Sequence, residues 1–402
     1  MQPGLLSRLT TNLGIYAACR TPRPRAVALC PIEGMKDMDS DHSVIYPNGL
    51  NLLHVLFSGR SMNKRKTIID VARECGLSQA TVARVLNGQQ DIQVKEKTRQ
   101  RVMSAAQKIG YRRNTLAANF RRQQSNTIAI SIPDITNPFF PELIKGIQEK
   151  MRDEGYSVIQ LNNEWNPHIE QDHFQYMVQT CVDGAIISPS HSGTDFSTLE
   201  GIPFVLLTNS DLYSEYDTVG NDSKAGMRIA LEHLYSLGHR KIALLVGGSM
   251  RSGPSWRYDL FSEFYREKGL MVPANFLVTC DYSVNSTLSF LQARKSMEIF
   301  LTENPLPTAF FASNDILGLA ALQVANEKGI KVPEQLSVIG MDGIFSGEVS
   351  YPALSTVKKN RSEIGGISAQ ILLDKIKKPK DWSIKKVLLP CTLIERGSSG
   401  AV

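Results

Sequence analysis

The 402 residues are 42% hydrophobic and 21% charged, the balance of folded, water-exposed domains, with enough length for two or three of them. No run of eighteen apolar residues is present, which argues against a membrane-spanning helix, and "MQPGLLSRLTTNLGIYAACR" lacks the basic leader and apolar run of a secretory signal. Cys19, Cys30, Cys75, Cys181, Cys280 and Cys391 show no C-x-x-C spacing and no histidine at ligand distance, which argues against zinc and for reduced thiols in a cytosol.

The net charge of +6 is unevenly spread. Residues 62–124 carry 14 Lys and Arg against 4 Asp and Glu, whereas 125–402 carry 25 against 31. A small basic module joined to a large acidic body suggests a polyanion as partner of the module alone.

Residues 1–61 hold no sustained helical or strand period, and the cluster "LNLLHVLF" is too short to stand alone. The stretch is expected to be a disordered extension or to precede a true start at Met62. The second is favoured because the first capped, periodic element follows Met62 at once. Thr67 with Asp70 forms an acidic capping box opening a helix over "IIDVAREC". Gly76 is placed as its C-cap and Ser78 as the N-cap of a second helix, "QATVARVL". Ile69, Ala72, Leu77, Val82 and Leu86 are expected to close a small core, with Cys75 as a filler. A third helix over Glu96–Ile109, ending at Gly110, presents Val102, Ala105, Ala106 and Ile109 on one face. Two short helices joined by a turn containing glycine form the helix-turn-helix signature, giving a DNA-binding domain over 62–110 and a linker over 111–124.

From Ser125 the texture changes. "TIAISIPD", "YSVIQLNN", "DGAIISPS", "PFVLLTN", "KIALLVGG", "PTAFFASND" and "QLSVIGMD" read as buried strands, separated by helical runs at 138–154, 167–181, 222–237, 255–268 and 315–329. Such alternation predicts an α/β fold of parallel sheets covered on both faces. The number of β-α units exceeds one sheet, so 125–402 is read as two similar subdomains. Ligands of open α/β sheets lie at the carboxyl ends of strands. Asp134, Asn137, Asn162, Ser188, Thr208, Gly247–Ser249, Asn314, Asp315 and Asp342 fall there, which points to a cleft. No G-x-G-x-x-G, P-loop or G-x-S-x-G is present, and no histidine pairs by motif with a nucleophile, so neither an enzyme nor a cofactor is indicated.

At this point the chain resembles the LacI/GalR transcription regulators over essentially all of 66–395. The resemblance rests on "TIIDVARECGLSQATVARVLNG", "GYRRNTLAANF", "IPDITNPFFPELIKGI", "HLYSLGHRKIALLVG", "FFASNDILGLAAL" and "SVIGMDG", in the family's order and spacing. It implies a homodimer or dimer of dimers, with a helix-turn-helix module joined by a hinge helix to a two-lobed periplasmic-binding-protein-like sensor. A small molecule bound in the sensor would switch affinity for double-stranded operator DNA. The C-terminal "LIERGSSGAV" holds no heptad zipper, so a dimer is expected rather than a tetramer. Repression is the expected outcome, by a cytoplasmic protein with no membrane partner.

On this reading the second helix enters the major groove with Gln79, Ala80 and Arg84 facing bases. Arg84 suits guanine, Gln79 adenine and Ala80 only a methyl contact. Ser78 begins that helix, while Thr67, Thr81, Asn87 and Lys64–Lys66 are assigned to phosphates. Asn114 belongs to the DNA-contacting linker. Phe120 stands where the family usually has a leucine wedge for the minor groove. In the sensor, Asn137, Phe139, Phe140, Arg257 and Asp315 are the expected ligand contacts. Asp315 would accept hydrogen bonds from sugar hydroxyls, or else cap the helix that follows. Thr208, Asn209, Gly343 and Leu260 depart from common residues of the family, which bears on the ligand's identity and not on the fold. A sugar or sugar derivative is the expected ligand. A purine-type co-repressor and a ligand-blind regulator are the alternatives.

Overall fold

The computed structural model describes residues 66–86, 94–111, 124–209, 211–247, 256–273, 275–280, 285–378 and 382–402. The chain divides into two compact units, one up to Arg113 and one from Asn114 onward. The expected extension at 1–61 and most of the expected linker, including Asn114 and Phe120, lie outside the described residues, as does Asn87.

The first unit is a three-helix cluster: α1 Ile68–Cys75, α2 Gln79–Leu86 and α3 Glu96–Lys108. Thr67 caps α1 through a complete capping box. Its hydroxyl donates to Asp70 Oδ2 at 2.9 Å, and its amide donates to the same oxygen at 2.8 Å. These bonds to Thr67 hold the Asp70 carboxyl below the usual range. Gly76 ends α1 in the left-handed region at φ 58°, a conformation a side chain would resist. Val71, Cys75, Val82, Val85 and Val102 fill the centre. One expected core residue is corrected: Ile69 is 47% exposed and Val71 fully buried. The helix is phased on Ile68, Val71, Ala72 and Cys75, so Ile69 points away from both neighbouring helices.

The second unit contains two six-stranded sheets. The first has the order β11-β5-β4-β3-β1-β2 and is wholly parallel. Its strands are β1 Thr127–Ile132, β2 Ser157–Asn162, β3 Gly184–Ile187, β4 Phe204–Leu207, β5 Thr218–Asn221 and β11 Lys386–Leu389. The second has the order β12-β10-β9-β8-β6-β7, parallel except for β12. Its strands are β6 Ile242–Gly247, β7 Leu277–Cys280, β8 Ala309–Ala312, β9 Ser337–Asp342, β10 Ser355–Lys358 and β12 Thr392–Ile394.

The central strands divide their side chains between two cores, as a period of two requires. Ile128, Ile130 and Ile132 of β1 pack under α4 (Phe139–Asp153) and α11 (Arg361–Lys377), while Ala129 joins Phe174 and Met177 of α5 (Pro167–Gln179) on the other face. In the second lobe Leu244 and Val246 join α6 (Ser223–Ser236) and α7 (Trp256–Glu267), while Ala243 and Leu245 meet α8 (Ser286–Glu303) and α9 (Asp315–Glu327). All seven expected strands are present. Strands β5, β7, β10, β11 and β12 and helices α8, α10 (Phe345–Glu348) and α11 were not anticipated. Several of these strands are only three or four residues long, and "TVGN" and "STVK" are too polar to read as buried runs.

The chain passes between the lobes three times: from β5 into α6, from β10 into α11, and from β11 into β12. The first and third crossings are tied to one another, since the Asp222 amide donates to Leu389 O at 2.8 Å and Cys391 Sγ to Asp222 O at 3.4 Å. Within the first lobe α4 and α11 touch backbone to backbone. A Cβ on Gly146 would strike Ser362 O, and one on Gly365 would strike Leu143 O. Gly366, one residue on, has open space where its Cβ would be. Gly365→Ala should therefore lower stability by about 1–3 kcal/mol through overpacking. Gly366→Ala should be neutral or stabilising by up to about 1 kcal/mol through helix propensity. Urea unfolding of both variants checks the contrast.

Candidate nucleic-acid interface and ligand cleft

In the first unit α2 buries Val82 and Val85 and exposes Gln79, Ala80 and Arg84. Ala80 and Arg84 lie one turn apart, so they share an exposed face with Gln79 beside them. Ser78 fixes the start of the helix: its hydroxyl accepts from the Thr81 amide at 3.2 Å and lies 2.9 Å from the Thr81 hydroxyl. Lys108 clamps α3 to α1 through Glu74 at 2.7 Å. An exposed, capped helix with an arginine and an amide on its outer face has the donors and acceptors that base edges in a major groove require. Thr67, Ser78 and Thr81 already serve the helix ends, so any phosphate contact would add to a capping role.

In the second unit the carboxyl ends of the two sheets border a cavity of about 700 Å³. Asn137 and Phe139 line it from the first lobe, with Arg257, Asn314 and Asp342 from the second and Lys359 from the crossing segment. A side pocket shares Phe139, Phe140, Arg257 and Lys359 and extends toward Thr208 and Asn209. Asn137 is buried and accepts from the Phe139 amide at 2.9 Å, setting the start of α4. Phe140 is 5% exposed and belongs chiefly to the core under β1, whereas Phe139 is half-buried and presents its ring to Lys359 Nζ at 5.3 Å. The Arg257 guanidinium lies 4.5 Å from the Trp256 ring.

Asp315 departs from expectation. It is fully buried, its carboxylate accepting from Thr356 Oγ1 at 2.5 Å and from the Ile344 amide at 2.8 Å. Gly340 makes room for it, since a Cβ there would collide with Asp315 Oδ1. The carboxylate is thus spent on joining α9 to β9, β10 and the loop after β9, and it does not line the cavity. Nor does it cap α9: Asn314 does, accepting from the Leu317 amide at 2.9 Å. Asn314 and Asp342 stand at the cavity in its place.

Asp342 sits at φ 136°, in the region that side chains rarely occupy. Lys359 Nζ holds its carboxylate at 2.8 Å, and Arg361 donates to its carbonyl at 2.5 Å and to Gly343 O at 3.0 Å. The same guanidinium reaches Glu142 of α4 at 2.7 and 2.9 Å, so one arginine, 3% exposed, spans the two lobes. A second bridge crosses between the β1–α4 loop and the start of α8. The Ser286 hydroxyl donates to Asp134 Oδ2 at 2.8 Å, and its amide to Thr136 Oγ1 at 3.0 Å.

Trp165, His191 and Lys359 also line the cavity and were missed in the sequence. Their signals were faint: one tryptophan in "NNEWNP" and one histidine in "SPSHSGTD", both at carboxyl ends of strands already recognised.

Comparison with known proteins places these features. The model "Bacterial regulatory proteins, lacI family" matches residues 67–114, and a periplasmic binding protein-like domain matches 231–399. The HTH-type transcriptional regulator DegA of Bacillus subtilis is 32% identical over 341 residues, covering 83% of this chain and 98% of that protein. The chain belongs to the LacI family of bacterial regulatory proteins. The ribose operon repressor of Halalkalibacterium halodurans is also 32% identical, over 78% of this chain and 92% of its own length. In fold, the lac repressor dimer bound to operator and the anti-inducer ONPF superposes with a TM-score of 0.71 at 24% identity, covering 84% of this chain and all of that one. As a LacI-family member the chain is a DNA-binding transcription regulator with the helix-turn-helix and periplasmic-binding-protein-like parts of that family.

Burial, reinforced by the neighbouring Asp342 carboxylate, raises the Asp315 carboxyl to about 6. Such a group holds its proton more tightly in the folded chain than in the unfolded one. Its contribution to stability is complete below about pH 4 and is lost as pH rises through about 6. Replacing it by Asp315→Asn should remove that slope. The unfolding free energy of the native protein, measured against the variant, should fall between pH 4 and pH 7, and a constant difference would contradict the assignment.

Proposed function

We propose that the protein is a homodimeric repressor whose affinity for operator DNA is switched by a sugar or sugar derivative bound between the two lobes of its second unit. The observation that carries this reading is a family-matched DNA-binding module on the same chain as an interlobe cavity lined with sugar-binding chemistry. Asn137, Asn314 and Asp342 offer amides and a carboxylate to hydroxyl groups, Arg257 offers a planar fork, and Phe139 offers an apolar face to a ring. The name of the ribose operon repressor and the operator-bound dimer of the lac repressor point the same way.

Residues 62–110 form the DNA-binding domain in this account, 111–124 the hinge and 125–402 the sensor and dimerisation domain. Gln79, Ala80 and Arg84 read bases, with Thr67, Ser78, Thr81, Asn87, Asn114 and Phe120 contacting backbone and minor groove. Asn137, Phe139 and Arg257 contact the effector, with Phe140 behind them. Asp315 is assigned to building the second lobe. The protein acts by binding and not by catalysis, in the cytoplasm where the DNA is. No helix among the described residues is long and apolar enough to cross a membrane.

The effector shifts DNA affinity only through its preference for one arrangement of the lobes, typically by about 1–3 kcal/mol. Fluorescence anisotropy on DNA from the protein's own promoter region should show salt-sensitive, sequence-selective binding, moved by one member of a panel of sugars and sugar phosphates. Arg84→Ala should cost about 1–3 kcal/mol and relax selectivity at one base pair. Arg257→Ala should leave DNA binding intact and abolish the response to the effector. Selective binding that no compound moves would sink the effector half of the proposal, and no selective binding would sink the whole.

A further inference from the structure

The three crossings between the lobes run from β5, β10 and β11, and all lie on one side. In the first sheet β11 and β5 stand at one end of the order, and in the second β12 and β10 do. Arg361, at the head of α11, belongs to the second crossing. The bridge made by Ser286 belongs to the opposite side. It joins the loop after β1, the neighbour of the far edge strand β2, to the helix that follows β7, the far edge strand of the second sheet. The cavity lies at the carboxyl ends of the two sheets, so it has the crossings on one flank and the Ser286 bridge on the other.

That bridge is a closed ring of hydrogen bonds around Asp134, which is buried. Asp134 Oδ1 accepts from the Thr136 amide at 2.8 Å and the Thr136 hydroxyl at 2.6 Å, and Oδ2 accepts from the Ser286 hydroxyl at 2.8 Å. The Thr136 hydroxyl, its own proton given to Asp134, accepts from the Ser286 amide at 3.0 Å. Ser286 is the first residue of α8, an 18-residue helix capped by Asn285, and the first amides of a helix have no partner within it. The Ser286 amide is therefore satisfied from the other lobe, and the Asp134 carboxylate sits at the positive end of α8. The loop is also held within its own lobe. The Ile135 amide donates to Asn162 Oδ1 at 2.8 Å, and the Asn137 amide donates to the Asp134 carbonyl at 3.2 Å. Asn137 lines the cavity, so the ring stands next to the cavity wall.

We propose that Asp134, Thr136 and Ser286 form a latch that closes the cavity on the side away from the crossings, and that it opens whenever a small molecule enters or leaves. The two bonds made by Ser286 exist only while the lobes are together, whereas those within the β1–α4 loop survive their separation. Opening replaces the crossing bonds with bonds to water and hydrates the Asp134 carboxylate, so each crossing bond contributes a modest factor to the opening equilibrium. A latch of that strength is reversible. With the crossings confined to one side, separation at the other is the hinge motion the lobes can make. The latch governs access to the cavity whatever occupies it. Its test needs no effector, so its failure and the failure of the effector reading are distinguishable.

Two measurements on the full-length protein test the latch. Amide hydrogen exchange, resolved to single residues, reads position 286, whose amide is held by Thr136 across the cleft. Acrylamide quenching reads access to Trp165, which lines the cavity and is 36% exposed, as the difference between the native chain and Trp165→Phe. In the native protein the Ser286 amide should exchange more slowly than the same amide in an unstructured peptide. Ser286→Ala should speed exchange at position 286 by about 10- to 100-fold, the effect of losing a hydrogen bond to a carboxylate, and should increase the quenching of Trp165. Ser286→Thr keeps the hydroxyl and should restore both. Thr136→Val removes the acceptor from the other lobe and should give the same two changes as Ser286→Ala, and circular dichroism checks that each variant folds. If position 286 is unprotected in the native chain, the latch is wrong. If both Ser286→Ala and Thr136→Val speed exchange at position 286 and leave Trp165 quenching unchanged, the ring is a local cap of α8 and the latch is again wrong.

Discussion

The arrangement of the second unit turns on Arg361. Its guanidinium is almost wholly buried, yet its N–H groups reach Glu142 on one lobe and the carbonyls of Asp342 and Gly343 on the other. A buried cation is tolerated only where its donors are used, so this side chain favours the geometry that keeps all three acceptors in reach. It also begins α11, the helix that packs backbone against backbone on α4 through Gly146 and Gly365. The close backbone contact of α4 and α11 is thereby coupled to the strained turn at Asp342 that borders the cavity. A ligand touching Asp342 or Lys359 acts on residues already tied to both lobes.

Such coupling is what a binding switch requires. Packed lobes respond to a ligand by exchanging one discrete set of contacts for another, because close-packed interiors do not deform continuously. Three chain crossings join the lobes, and hydrogen bonds among Asp222, Leu389 and Cys391 hold the first and third of them together. The Ser286 bonds to Asp134 and Thr136 act at the β1–α4 loop, away from the crossings. Arg361 and Ser286 together define the present arrangement, and a ligand changes it only by the free energy with which it prefers another.

The fold was legible because the signals for it are local. Thr67 with Asp70, Gly76 and Ser78 mark helix ends through backbone chemistry that hardly depends on the rest of the chain, and the β-α alternation is a matter of period. The strands that escaped notice, β5, β7, β10, β11 and β12, are three or four residues long, and several take their burial from neighbours far along the chain. Thr218 pairs with Lys386 and Thr356 with Ile394, and nothing in the four residues of "STVK" announces such partners. Ile69 was misplaced because two adjacent isoleucines fit the helical period equally well, and only the position of α3 decides between them.

The site was less legible for a reason that Asp315 makes concrete. A carboxylate at the carboxyl end of a buried strand has two competing uses, to meet a ligand or to satisfy the backbone of its own lobe, and sequence spacing does not separate them. The decision rests with Gly340, whose missing side chain opens a niche for the carboxylate, and with Thr356 and the Ile344 amide, which fill its lone pairs. Glu170 presents the same ambiguity from the other side. It reads as an ordinary surface glutamate early in an amphipathic helix, yet it is fully buried and ties together the loops after β2 and β3 through Asn163, Ser190 and Thr194. Both acids show that a polar residue in this fold takes its role from the donors that surround it, and those donors come from strands and loops up to 41 residues away in the chain.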